Sequence, residues 1–94
     1  MRNINMNPQY RCFKPCHRHF REIDCVEIEA DELEALRLVD YLGLYQEESS
    51  QSMNISRSTL GRIVQSVRKK ISDALINGKS IIIGGENEDS NTDE

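Results

Sequence analysis

A chain of 94 residues, 37% hydrophobic and 30% charged, has room for one small domain and a modest core. It contains no apolar run near the roughly 18 residues that cross a bilayer, and its polar N-terminus lacks the apolar stretch of a secretory signal, so the expectation is a cytoplasmic protein with no membrane partner. The formal charge of −4 conceals four blocks: residues 1–21 carry five bases and no acids, 22–48 ten acids against Arg37, 54–80 six bases against Asp73, and 86–94 five acids. Such blocks give an acidic chain basic patches for a polyanion, or they are solvated faces.

Residues 1–24 show no period and hold both prolines, which predicts an irregular basic arm. Within it, and just past its end, stand Cys12, Cys16, His17, His19 and Cys25. Three cysteines make no disulfide framework, and thiolate with imidazole suits zinc or a similar borderline-soft ion. The best ligand set is Cys12, Cys16, His19 and Cys25, holding one metal ion per chain and ordering an arm that has few apolar residues of its own. The same residues also read as free thiols and basic-arm histidines near phosphate, or as a metal- or redox-responsive element.

Residues 25–29, CVEIE, alternate as a half-buried strand does. Residues 30–42 are rich in helix formers, with Asp31, Glu32 and Glu34 where the helix dipole favours acids, and Gly43 is a natural stop. Residues 46–53 predict a second, short helix, ended by Asn54 in a left-handed conformation. Ser56 is placed to cap a third helix, with Ile55 and Leu60 as a hydrophobic staple. Leu60, Ile63, Val64, Val67, Ile71, Ala74 and Leu75 recur at spacings of three and four and define its apolar face, and Asn77-Gly78 ends it. Residues 79–83 predict a second short strand, paired with 25–29, with an exposed edge suited to a dimer. Residues 86–94 have no large apolar side chain and predict a disordered tail.

The fold class expected is therefore mainly α: a three-helix helix-turn-helix domain over 25–85, with two short strands and an irregular arm. Met53, Ile55, Leu60 and Ile63 fall at the inward positions of that motif, and Ser49 and Ser50 are small enough for close approach. Ser56, Arg57, Ser58, Gly61, Arg62 and Gln65 then lie at the start of the third helix or on its outer face, where this motif enters the major groove. Arginine can pair with guanine through two hydrogen bonds, and serine or threonine can reach bases or phosphates. Gly61 costs about 1 kcal/mol against alanine inside a helix, which a close approach by DNA or by another helix would explain. Gln46, Arg68, Lys69 and Lys70 are the candidates for phosphate contacts. The expected partner is double-stranded DNA read by a homodimer in transcription regulation. The rival expectation is a module that docks on the transcription machinery through the acids of residues 31–40 and the tail. No oxyanion loop, phosphate loop or paired-carboxylate motif suggests an enzyme.

The stretches DELEALRLVD (31–40), QEESS (46–50), MNISRSTLGR (53–62), NGK (77–79) and the closing GG resemble a family of small prokaryotic proteins of unassigned role, predicted to bind DNA. The likeness runs from residue 11 to 85. Its pattern has two alanines where this chain has Ser49 and Ser50, and a turn glycine where it has Asn54. The three helices are also similar to region four of bacterial sigma factors. The resemblance implies DNA binding, with Arg57, Ser58, Thr59 and Arg62 on the recognition helix and Gln46 opening the helix that crosses the backbone.

Overall fold

The structure is a computed structural model that describes residues 11–16 and 24–84. The chain runs β1 (Cys12–Phe13), β2 (Cys25–Ile28), α1 (Ala30–Leu36), a π-helical turn (Arg37–Tyr41), α2 (Gln46–Met53), α3 (Arg57–Asn77) and β3 (Ser80–Ile83). The predicted tail, most of the arm, and both histidines lie outside the described residues.

The strands form one sheet in the order β1-β3-β2. β2 and β3 pair in parallel, Val26 opposite Ile81 and Ile28 opposite Ile83, as two strands joined through a helical crossover can. β1 pairs antiparallel with β3, Cys12 opposite Ile82 and Phe13 opposite Ile81. Two expectations change here. The arm is not wholly irregular, because Cys12–Phe13 is a third strand. Two residues are too few to show an alternation, and their partner is at the other end of the chain. β3 is also the central strand: Ser80 N–H donates to Asp24 O and Ile83 N–H to Arg11 O, both at 2.8 Å. With both of its edges paired, it has none to offer a second copy.

α1 starts where Glu32 Oε1 accepts the Glu29 N–H at 2.9 Å, closing the first turn from inside. It runs into the π-helical turn, where Leu42 N–H reaches Arg37 O at 2.8 Å, and stops at Gly43 with φ +73°. α2 ends at Asn54 in the left-handed region (φ 60°, ψ 47°), and Ile55 N–H closes back on Ser50 O at 3.0 Å. Gly78 (φ 66°) ends α3.

The core falls into two clusters that α3 joins. Ala35, Leu38, Met53, Leu60, Ile63 and Val64 pack with Val39, Leu44 and Ile55. Ile28, Val67 and Ile83 pack with Leu33, Leu36, Ile71 and Ile81 against the sheet. Leu75 departs from the expected stripe: it is exposed while Ala74 beside it is buried, so only a narrow strip of α3 is covered at this end. Among the described residues no helix is long and apolar enough to cross a membrane.

Candidate nucleic-acid interface

α2, the turn at Asn54–Ser56 and the start of α3 make one unit. Met53, Ile55, Leu60 and Ile63 meet in the first core cluster, as their spacing predicts. Ser49 and Ser50 are buried between the helices' inward faces. Ser50 Oγ donates to Glu47 O at 3.0 Å, whereas Ser49 Oγ has no partner among the described residues.

Ser56 caps α3: its Oγ accepts the Thr59 N–H at 3.1 Å and donates to Thr59 Oγ1 at 2.8 Å, with Ser58 Oγ 3.3 Å away. Ser56 and Thr59 are thus engaged in holding the turn. Arg57, Ser58, Arg62 and Gln65 are exposed on the outer face, and Gln46 is exposed at the start of α2. Among the described residues neither Arg57 nor Arg62 has a hydrogen-bond or ion-pair partner. Gly61 stands between them in open space. Among the described residues, a β-carbon built there would have no atom within 4 Å outside its own stretch of helix, so no other described helix accounts for the glycine.

The basic run farther along α3 divides. Arg68 holds Asp40 of the π-helical turn at 2.6 Å. The Arg68 guanidinium keeps the Asp40 carboxyl below its ordinary pKa, and Arg68 is raised in return. Lys70 Nζ donates to Glu32 Oε1 and to Glu27 O, each at 2.8 Å, and Ser66 Oγ donates to Glu32 Oε2 at 2.6 Å. Burial works to raise the Glu32 carboxyl, but the hydrogen bonds from Lys70, Ser66 and the Glu29 N–H prevail and leave it lowered. Lys69 alone of the three is exposed without such a bond among the described residues.

Two of the three acids of α1 are buried. Glu34 is fully buried and takes two hydrogen bonds from Arg37, both at 2.9 Å. Glu32 is buried as well. Sequence reasoning placed these acids in the first turns of a helix and missed their burial. A signal exists for Glu34, which stands four residues before Leu38 and so on the same side of the helix; Glu32, two residues from it, is buried through its partners Ser66 and Lys70 on α3.

Cys12, Cys16 and Cys25 are exposed free thiols. Cys12 and Cys25 sit on the two outer strands with β3 between them, and Cys16 follows in a turn. Among the described residues no three Cys, His, Asp or Glu side chains converge on a metal-sized site. His19, the fourth expected ligand, lies outside those residues.

Residues 1–90 match the family described as "Protein of unknown function DUF134", and the chain belongs to that family. A UPF0251 protein of Methanococcus vannielii is 48% identical over 85 residues, 90% of this chain and 65% of its own length. One from Prosthecochloris aestuarii is 44% identical over 84 residues, 89% of this chain and 54% of its own. The chain thus spans between half and two thirds of these two relatives. A UPF0251 protein of Vibrio vulnificus is 42% identical over 88 residues, 94% of this chain and 88% of its own. No solved structure matches the chain.

Proposed function

We propose that this member of the DUF134 family binds double-stranded DNA through a helix-turn-helix made of α2 and α3, and acts in transcription regulation. The observation that carries the reading is the outer face at the start of α3. Two arginines flank a glycine whose missing side chain leaves open space, and among the described residues nothing pairs with the arginines or fills that space. A helix does not gain from a glycine at such a place, which costs about 1 kcal/mol, unless something from outside comes close to its backbone.

In this reading the first turns of α3 enter the major groove. Arg57 and Arg62 read base edges, guanine above all, and Ser58 reaches a base or a phosphate. Ser56 and Thr59 serve at one remove by fixing the turn. Gln46 and the free N–H groups at the start of α2 lie against the sugar–phosphate backbone, and Lys69 adds a phosphate contact. The rival reading, docking through the acids of residues 31–40, meets the inward setting of Glu32 and Glu34 and the pairing of Asp40 with Arg68.

Fluorescence anisotropy on a pool of random duplexes across a salt series tests the proposal. Affinity should fall steeply with salt, and Arg57→Ala/Arg62→Ala should weaken binding with the circular dichroism melt unchanged. A folded wild-type protein that binds no duplex at low salt overturns it.

A further inference from the structure

The outer face of α3 continues past the two arginines. At about 100° per residue, Ser58, Gly61, Arg62, Gln65, Lys69 and Ser72 fall within about 100° of arc, opposite the buried stripe that runs from Leu60 to Ala74. From Arg57 to Ser72 the sequence holds five bases and not one acid. A helix face that meets only water commonly mixes the two signs, because opposite charges four residues apart stabilise it. Along this face the side chains are small, cationic or amide, and none is large and apolar.

Gln65 stands near the middle of that arc. It is exposed, and among the described residues its amide has no hydrogen-bond partner. Side chains on a helix lean toward its N-terminus and cover the turn before their own. For Gln65 that turn is the one of Gly61, four residues back. Among the described residues, a β-carbon at Gly61 would meet no atom outside its own stretch of helix. The glycine therefore leaves clear the ground over which the Gln65 amide leans. Arg62, three residues before Gln65, borders the same space.

We propose that Gln65 is a specificity-determining residue of this face, reading an adenine in the major groove close to the guanine read by Arg62; the inference rests on the DNA reading above. Among the four bases adenine alone presents a donor and an acceptor side by side in that groove. A glutamine amide matches both: Nε2 donates to N7, and Oε1 accepts from the N6 amino group. The amide brings no charge to attract phosphate, so what it contributes is choice between sequences. Gln65 and Arg62 are about 4.5 Å apart along the helix axis, and base pairs stack about 3.4 Å apart, which sets the adenine one or two base pairs from the guanine. Lys69, one turn beyond Gln65, is left to the phosphates.

Selection of bound duplexes from a random pool by the full chain, followed by sequencing, tests the assignment. The wild-type selection should show an adenine column one or two positions from a guanine column. Gln65→Ala should lower the preference for adenine at that column about tenfold and keep the guanine column, with the melt, the affinity for non-specific duplex and the salt slope unchanged. Gln65→Arg should exchange the adenine for guanine there, a gain that a loss of folding cannot imitate. Bound sequences with no adenine near the guanine overturn the assignment. So do variants that leave every column as in the wild type, or a Gln65→Ala that weakens all duplexes alike; in each of these cases the DNA reading stands. A folded wild type that binds no duplex at low salt removes the DNA reading, and the assignment falls with it.

Discussion

Arg68 grips the Asp40 carboxylate through two hydrogen bonds, Nε to Oδ2 at 3.1 Å and Nη2 to Oδ1 at 2.6 Å. The pair ties the middle of α3 to the π-helical turn that follows α1, and it occupies a cation that the sequence assigns to phosphate. Both side chains are well exposed, so the pair itself contributes at most about 1 kcal/mol to stability. Replacing its acid exposes the cation. Asp40→Asn should change the urea midpoint little, yet raise duplex affinity a few-fold at low salt and steepen the salt dependence by about one phosphate contact. An unchanged salt slope would assign Arg68 to the fold alone.

Gly61 permits a test in which stability and binding move in opposite directions. Among the described residues a methyl group there meets no atom outside its own stretch of helix, and it removes a glycine from a helix interior. Gly61→Ala should therefore stabilise the protein by about 0.5–1 kcal/mol. The same methyl group would stand where a DNA backbone passes, and affinity should fall about tenfold. A variant that is more stable and binds equally well would mean that nothing approaches α3 at this position.

Ser49 offers a gain with no such cost. Its hydroxyl is fully buried and without a partner among the described residues, whereas that of Ser50 is satisfied by Glu47 O. Ser49→Ala removes an unmet polar group and should stabilise by about 1 kcal/mol, raising the melting temperature by roughly 4–8 °C, with duplex affinity unchanged. Ser50→Ala, which deletes a made bond, should show no comparable gain. Equal effects at the two positions would count against the different partners their hydroxyls have.

Glu32 links stability to acid. Its pKa is lower folded than unfolded, so the unfolded state binds more protons in the window between the two values. The contribution is complete above the unfolded carboxyl range and disappears as pH falls through the folded value, from about pH 5 downward. Glu32→Gln should cost about 1.5 kcal/mol at neutral pH. The cost should shrink in acid, so that the variant's stability curve is flatter on that side. A constant difference across the pH series would mean that the carboxylate charge is not what joins α1 to Ser66 and Lys70.

The unit that carries the candidate interface was legible because its signals are local. Asn54 at φ 60° and Ser56 as a cap are read from single residues, and the stripe from Leu60 to Ile71 from a short window. The rest depends on distant neighbours. β1 is a strand only because β3 lies beside it. Leu75 continues the helical period at the edge of the stripe, exposed beside the buried Ala74, and a period carries no information about what lies opposite. The π-helical turn widens the helix by one residue and shifts its inward face, which no propensity of Arg37–Tyr41 foretells. Glu32 and Glu34 look like helix-dipole acids until Lys70, Ser66 and Arg37 are placed around them.

Arg11 and Ile83 meet across 72 positions, so the sheet joins the earliest described part of the chain to the latest. On the ribosome β1 and β2 emerge long before the strand that lies between them, and both wait unpaired until β3 leaves the exit tunnel. The first core cluster needs none of these strands, since it is drawn from α1, the turn after it, α2, Ile55 and the first half of α3. The order of assembly implied is helices first and sheet last. Amide exchange should divide along the same line, with the strands opening together at lower free energy while the protons of Leu60 to Val64 remain protected.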